Sequence, residues 1–118
     1  MHTCLLPTNK MPNSYQIIHC TCPDKGTAES LAHLLLNDKL AACVTILPSI
    51  TSIYLWQQEI ETVQEHLLLI KANKANYQMI ENTLKTHHPY KLPEIIAVSI
   101  ENGSSEYLHW IDSCHSYK

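Results

Sequence analysis

The sequence contains no arginine, and its eight basic residues are lysines scattered along 118 residues. Proteins that hold nucleic acid or phosphates usually cluster arginine and lysine, whereas this chain has a net charge of −3 and no basic cluster. Glycine is also scarce, with only two residues, and neither forms an oxyanion-hole motif beside a cysteine. These absences argue against nucleic-acid binding and against thiol catalysis.

Long apolar runs are missing as well. No run is long enough to span a bilayer or to form the hydrophobic region of a signal peptide. Residues 1–13 contain Pro7 and Pro12 without any periodicity, and we expect them to form a flexible leader before a single domain at residues 14–118. The five cysteines are an odd number in a chain large enough to fold without disulfides, which predicts reduced thiols and a cytoplasmic protein.

Hydrophobic periodicity predicts four strands and three helices. The predicted strands cover residues 15–22, 42–56, 60–71 and 93–100, and the predicted helices cover residues 28–40, 73–86 and 105–113. Asp24 is a candidate cap for the first helix, and Pro48 predicts a bulge in the second strand. The order of elements is typical of an α+β, ferredoxin-like βαββαβ sandwich with an antiparallel sheet and an extra C-terminal helix. Strands one and three then lie in the centre, with strand four beside strand one.

Two adjacent histidines, His87 and His88, lie between a predicted helix and a predicted strand. The predicted topology brings them close to the end of the first strand, where Cys20 and Cys22 share one face because side chains alternate. With Glu94, these residues offer thiolate, imidazole and carboxylate ligands. Such a mixed set suits copper or zinc rather than magnesium or calcium.

Each candidate ligand also has a structural interpretation. A free cysteine packs as a small hydrophobe, and a histidine in the last turn of a helix interacts favourably with the helix dipole. Tyr90 can serve packing alone, and Glu94 can be solvated or paired with a lysine. His66 and the five remaining histidines have no partner that the sequence identifies. We interpret those six histidines as structural.

Six short motifs occur in order along residues 15–112. They are Cys20-Thr21-x-Pro23, Leu40-Ala41-Ala42-Cys43-Val44, Ile53-Tyr54-x-Trp56, Leu69-Ile70-Lys71, His87-His88-Pro89-Tyr90-x-x-Pro93-Glu94-Ile95 and Tyr107-Leu108-x-Trp110-Ile111. Together they resemble the CutA divalent-cation tolerance proteins.

The resemblance implies a ferredoxin-like protomer that assembles into a homotrimer, with a long hairpin between strands two and three pairing with neighbouring subunits. It implies a role in tolerance of divalent metal ions and copper binding, with zinc or other divalent cations as alternatives, and no enzymatic activity. The implied metal ligands are Cys20, His87 and His88, with Glu94 near the same site. Further site neighbours in this chain are Cys22, Tyr90 and Trp56.

Three departures from the family pattern concern the hairpin and the site. Gln57-Gln58-Glu59 replaces a glycine-containing turn, so we expect a wider or differently shaped turn. Lys91 would oppose a cation, whereas the additional thiol of Cys22 would favour a soft one. Two other functions stay open at this point: a trimeric small-molecule or nucleotide sensor, suggested by fold analogy alone, and a trimeric scaffold that presents a surface to a partner.

Overall fold

The protein is represented by a computed structural model that describes residues 14–114. The predicted leader at residues 1–13 lies outside the described residues, as do residues 115–118. Four strands and three α-helices follow one another in the predicted order. They are β1 (Tyr15–Cys22), α1 (Lys25–Asn37), β2 (Cys43–Trp56), β3 (Glu59–Asn73), α2 (Tyr77–His87), β4 (Ile96–Ser99) and α3 (Ser105–Ser113).

The four strands form one antiparallel sheet in the order β2, β3, β1, β4. The predicted topology is therefore confirmed, with β1 and β3 in the centre and β4 beside β1. The register between the central strands sets Cys20 opposite Leu68 and Cys22 opposite His66. The whole of β1, including its end at Cys22, is therefore paired with β3.

One face of the sheet is covered by α1 and α2. Ile18, Cys20 and Cys22 alternate onto this face of β1, and all three side chains are fully buried. The main contributors from β3 and the two helices are Leu68, Ile70, Leu31, Leu35, Ile80 and Leu84. Burying an aliphatic side chain of this size contributes about 1.5–3 kcal/mol, so this core holds the end of β1 firmly in place.

The first helix begins earlier than the periodicity predicts. Asp24 precedes it in an extended conformation, and its Oδ1 accepts a hydrogen bond of 2.7 Å from the backbone N–H of Thr27. This cap confirms the predicted role of Asp24 and starts the helix at Lys25 rather than at residue 28. The helix ends at Asn37, three residues before the predicted end, and the chain then turns through Lys39, whose φ is +58°.

The second helix begins later than predicted. Asn73 accepts a hydrogen bond from the N–H of Ala75 through its side chain and starts a short 3-10 turn at Lys74–Asn76. The regular α-helix begins only at Tyr77, not at residue 73. It ends at His87, which places the double histidine at its C-terminus as the sequence predicted.

The fourth strand is shorter than predicted. The ladder between β1 and β4 ends where His19 lies opposite Ile96, and no ladder pairs reach residues 93–95 within the described chain. Pro93 has no backbone N–H to donate to a ladder, which disfavours strand pairing at that point. The predicted strand over residues 93–100 is therefore observed only at Ile96–Ser99, and its predicted start is wrong.

The hairpin between β2 and β3 is long and contains the predicted bulge. The pairing register shifts between Leu47 and Ile50, at the position of Pro48. Ser49, next to the proline, has a φ of +56°. The proline cannot donate to the ladder, so the bulge lets pairing resume beyond it.

The tip of the hairpin is not wider, as one of the two expectations had it, but a tight turn of unusual backbone shape. Trp56 pairs directly with Glu59, leaving Gln57 and Gln58 as a two-residue turn. Their φ angles are +50° and +72°, so both residues occupy the left-handed region that glycine or asparagine usually fills in such turns. The absence of glycine therefore places backbone strain on both residues of the turn.

Candidate metal centre

The end of β1 presents two thiols to the helix-covered face of the sheet. Cys20 and Cys22 lie on that face, and Thr21 between them lies on the other. Both cysteine side chains are 0% exposed, and both are free thiols. Two potential soft ligands are thus adjacent in a solvent-excluded environment.

The two neighbouring thiols move each other's pKa in opposite directions. The Cys22 thiol raises the pKa of Cys20, and burial raises that pKa further. The Cys20 thiol lowers the pKa of Cys22, whereas burial opposes this change. In the structure, the Cys20 thiol donates to the carbonyl oxygen of Thr21 over 3.9 Å.

His88 directly follows α2 and uses both of its ring nitrogens. Its Nδ1 accepts a hydrogen bond of 3.1 Å from the backbone N–H of Tyr90. A neutral imidazole that accepts at Nδ1 carries its proton on Nε2, and Nε2 lies 2.8 Å from the carbonyl oxygen of Thr21. The ring thus donates to β1 and accepts from the turn. It is also buried, with 8% of its surface exposed.

The hydrogen bond from His88 replaces one that a longer β4 would make to the end of β1. The carbonyl oxygen of Tyr15 accepts from Ile100, so alternate residues of β1 point their backbone groups toward β4. Thr21 belongs to this alternating set, but the ladder with β4 has already ended at His19. Its carbonyl would have no partner from β4, and the His88 side chain supplies one.

Three potential ligand atoms meet at this point. The sulfurs of Cys20 and Cys22 and a ring nitrogen of His88 lie within 4.8 Å of one another. Thiolate and imidazole ligands suit copper and zinc, so the chemistry of the set fits a transition metal. The two thiols can bind directly, whereas His88 must first give up one of its two backbone hydrogen bonds.

Two other predicted ligands lie outside this buried cluster. His87 is exposed on α2, and its Nδ1 lies 3.0 Å from the carbonyl oxygen of Thr83 in the preceding turn. Glu94 is exposed in the segment before β4. Its negative charge contributes to raising the pKa of the Cys20 thiol.

Glu94 instead lines a cleft of about 900 Å³ on the other face of the sheet. Trp56 and Tyr90, the remaining predicted site neighbours, line the same cleft. Three carboxylates and one lysine are among its charged groups, which makes it acidic. They are Glu61, Glu65, Glu94 and Lys91.

A buried hydrogen bond joins this cleft to the turn after His88. The hydroxyl of Tyr90 donates to Oε2 of Glu65 over 2.7 Å, and the glutamate is only 5% exposed. Desolvation raises the pKa of Tyr90 above its ordinary value, and the bond to Glu65 raises it further. The ring of Tyr90 also packs against that of His88, with centroids 4.8 Å apart. Packing and the Glu65 bond together hold the turn against the sheet.

Two residues of this region are not singled out by the sequence patterns. Glu65 belongs to no motif, and the interpretation of His66 as structural is not contradicted by the structure. His66 lies directly opposite Cys22, and its Nδ1 is buried without a hydrogen-bond partner among residues 14–114. The cross-strand register is the signal that would have identified it, and that register requires the structure.

The sequence matches the CutA1 divalent ion tolerance protein family over residues 16–114. The chain belongs to this family. The divalent-cation tolerance protein CutA of Yersinia pestis (strain Pestoides F) is 40% identical over 97 residues, which cover 82% of this chain and 82% of the relative. The family shown by these matches is the one that the six motifs resemble.

Solved CutA structures share the fold. CutA from Xylella fastidiosa superposes with a TM-score of 0.85 at 45% identity, covering 87% of this chain and 99% of the other. The divalent cation tolerance protein from Thermus thermophilus gives 0.84 at 38% identity, covering 86% and 99%. The periplasmic divalent cation tolerance protein CutA from Archaeoglobus fulgidus gives 0.83 at 37% identity, covering 85% and 97%.

Among residues 14–114, no helix combines the length and apolar character needed to cross a bilayer.

Proposed function

We propose that this CutA-family protein acts in divalent-cation tolerance by binding copper at the end of β1. The observation that carries the proposal is the buried group of Cys20, Cys22 and His88, whose ligand atoms lie within 4.8 Å of one another. Soft and borderline ligands of this kind favour copper, with zinc as the second candidate. The family name supports a role with divalent cations.

Within this proposal, Cys20 is the anchoring ligand, and His88 joins it by exchanging one backbone hydrogen bond for a metal bond. His87 and Glu94 are the outer candidates, since both are exposed on segments that flank the His88 turn. An ion entering from solvent would meet these groups before it reached the buried thiols. Cys22 is the additional soft ligand.

We further propose that the protein is a homotrimer. The hairpin supports this, because Ile53, Leu55 and Ile60 are each about 70% exposed, at 68%, 72% and 73%. On β4, Ile96 and Val98 are more than half exposed as well. Apolar surface in such amounts usually marks an interface. Sedimentation velocity at several protein concentrations tests the assembly, and a single monomeric species throughout would refute it.

We also propose a non-enzymatic, cytoplasmic protein. The four described cysteines are all free, as expected in a reducing compartment.

The metal-binding role is tested by titrating the protein with Zn(II) and Cu(II), and by repeating the titration with Cys20→Ser and with His87→Ala. Loss of affinity in Cys20→Ser supports the site. Unchanged affinity in both variants would remove this assignment.

A small-molecule sensor is the second candidate, and the cleft near Trp56 is its site. The volume of about 900 Å³ is sufficient for a small ligand. Its three carboxylates favour a cationic ligand over a nucleotide. A thermal-shift series with ATP and with a small organic amine separates these classes. Stabilisation by ATP would contradict the electrostatic argument.

A further inference from the structure

The loop between β4 and α3 contains Asn102-Gly103, the only asparagine–glycine pair in the sequence. Both residues are exposed and lie outside the helices and strands. Within residues 14–114, the Asn102 side chain makes no hydrogen bond, and no hydrogen bond of the loops engages the backbone N–H of Gly103. Neither the side-chain amide nor the backbone nitrogen that follows it is therefore constrained by a hydrogen bond.

These two groups can react with each other. The deprotonated backbone nitrogen of Gly103 attacks Cγ of Asn102, so that an N–Cγ bond forms while the Cγ–Nδ2 bond breaks and Nδ2 leaves as ammonia. Water then opens the resulting succinimide ring at either of its two carbonyl carbons. The products are aspartate and isoaspartate, in which the main chain runs through Cγ. The net reaction consumes one water and releases one ammonia.

The glycine makes this attack easier than another residue would. The backbone must rotate to bring the nitrogen to Cγ, and a Cβ on the following residue restricts that rotation. A steric penalty of the size that a Cβ usually imposes slows a reaction by about tenfold or more. Asn37 offers the comparison within the chain, because it is also exposed but is followed by Asp38.

Gly103 also packs closely against α3, which connects the reaction to the fold. A Cβ at this position would lie only 3.3 Å from Cδ2 of Leu108. Leu108 is 6% exposed and belongs with Tyr15 and Ile111 to the apolar cluster that holds α3 against the sheet. A shift of the Gly103 backbone would therefore disturb a buried contact of the helix.

We propose that Asn102 is a site of spontaneous deamidation and that its isoaspartate form loosens the start of α3. Isoaspartate adds one carbon atom to the main chain directly before Gly103. The glycine then cannot keep both its fit against Leu108 and its position before Ser104, whose side chain caps the helix. Aspartate leaves the main chain unchanged and adds a negative charge near the N-terminus of α3, where the helix dipole favours it.

The experiment follows the full-length protein during incubation in mildly alkaline buffer, by digestion with a lysine-specific protease and mass spectrometry. The peptide of residues 92–118 has Asn102 as its only side-chain amide, so a gain of about 1 Da locates the reaction. The peptide of residues 26–39, with Asn37 as its only side-chain amide, is the matched control. The first peptide should gain mass at least about tenfold faster than the second.

The variant Asn102→Gln keeps an amide but would have to close a six-membered ring, so it should slow the gain by at least about tenfold. The wild-type rate should rise with pH, because the attacking nitrogen must lose its proton. Equal rates in the two peptides, or no gain in residues 92–118, overturn the deamidation site.

A second readout tests the effect on α3. Anion exchange isolates the modified protein, and a protease that cleaves before aspartate but not before isoaspartate identifies the product. Backbone amides of α3 should exchange hydrogen at least about threefold faster in the isoaspartate form than in Asn102→Asp, which carries the charge without the extra main-chain atom. Equal exchange in the two proteins overturns the loosening of α3, as does a product that is aspartate alone. These measurements involve no metal, so their failure leaves the proposed function intact.

Discussion

Replacing His88 by alanine tests whether this side chain completes the sheet or serves mainly as a metal ligand. The variant leaves the Thr21 carbonyl with only the long bond of 3.9 Å from the Cys20 thiol, and it leaves the Tyr90 amide without its acceptor. A buried carbonyl with so weak a donor costs up to about 1–3 kcal/mol, and loss of an ordinary hydrogen bond costs about 1 kcal/mol. We therefore expect the free energy of unfolding to fall by about 2–4 kcal/mol in metal-free protein.

Two conservative variants divide this loss between the two bonds. In His88→Asn, the side-chain oxygen can replace Nδ1 and accept from the N–H of Tyr90. In His88→Gln, the side-chain amide can replace Nε2 and donate to Thr21. Each should therefore recover part of the stability that alanine loses. The adjacent His87→Ala is the matched control, because His87 is exposed and should change stability by no more than about 0.5 kcal/mol.

The assay is urea unfolding followed by circular dichroism, with a chelator present and one fixed protein concentration. Both conditions matter, because bound metal or self-association would stabilise the folded state by mass action. An apo His88→Ala protein as stable as His87→Ala would refute the sheet-completing role. If that variant also lost metal affinity, His88 would be assigned as a ligand instead.

Three further changes test local features. The pKa of Tyr90 is raised by desolvation and by Glu65, so the tyrosine stabilises the fold below its unfolded pKa and loses that effect as pH rises through its folded pKa. In urea unfolding at neutral pH, Tyr90→Phe should lower the free energy of unfolding by about 1–3 kcal/mol. The loss should be smaller in alkali. The pKa of Asp24 is lowered by the Thr27 N–H, so the destabilisation by Asp24→Ala, measured by thermal unfolding, should shrink as pH falls through that pKa. In urea unfolding, Gln58→Gly should raise the free energy of unfolding by up to about 1 kcal/mol, because glycine tolerates the φ of +72°.

The order of elements was predictable because local patterns define it. The first strand was predicted at its observed bounds, since an apolar stretch there ends directly before Pro23 and a helix cap. The extent of β4 was not predictable in the same way. Its sequence remains strand-like before Ile96, but the ladder with β1 ends at the pair of His19 and Ile96. Pro93 has no backbone N–H with which to extend that ladder.

The candidate site was partly predictable for the same reason. Strand alternation placed Cys20 and Cys22 on one face, and the predicted topology brought the double histidine near them. Hydrogen bonds then determine which histidine has a free nitrogen, and these depend on tertiary contacts that no local pattern contains. His87 and His88 are neighbours in sequence, yet one ring bonds its own helix and the other bonds β1.

The short β4 connects the fold to the chemistry of the site. Because the ladder stops at His19, the Thr21 carbonyl needs a donor from elsewhere, and the His88 ring supplies it. That bond keeps His88 next to the thiols while reducing its availability as a ligand. On the other side of β1, the thiols are backed by β3, where Leu68 lies opposite Cys20 and His66 lies opposite Cys22. If a longer β4 took over the Thr21 carbonyl, Nε2 of His88 would be free to bind metal. The length of one edge strand therefore determines how readily the His88 imidazole can share an ion with the buried thiols.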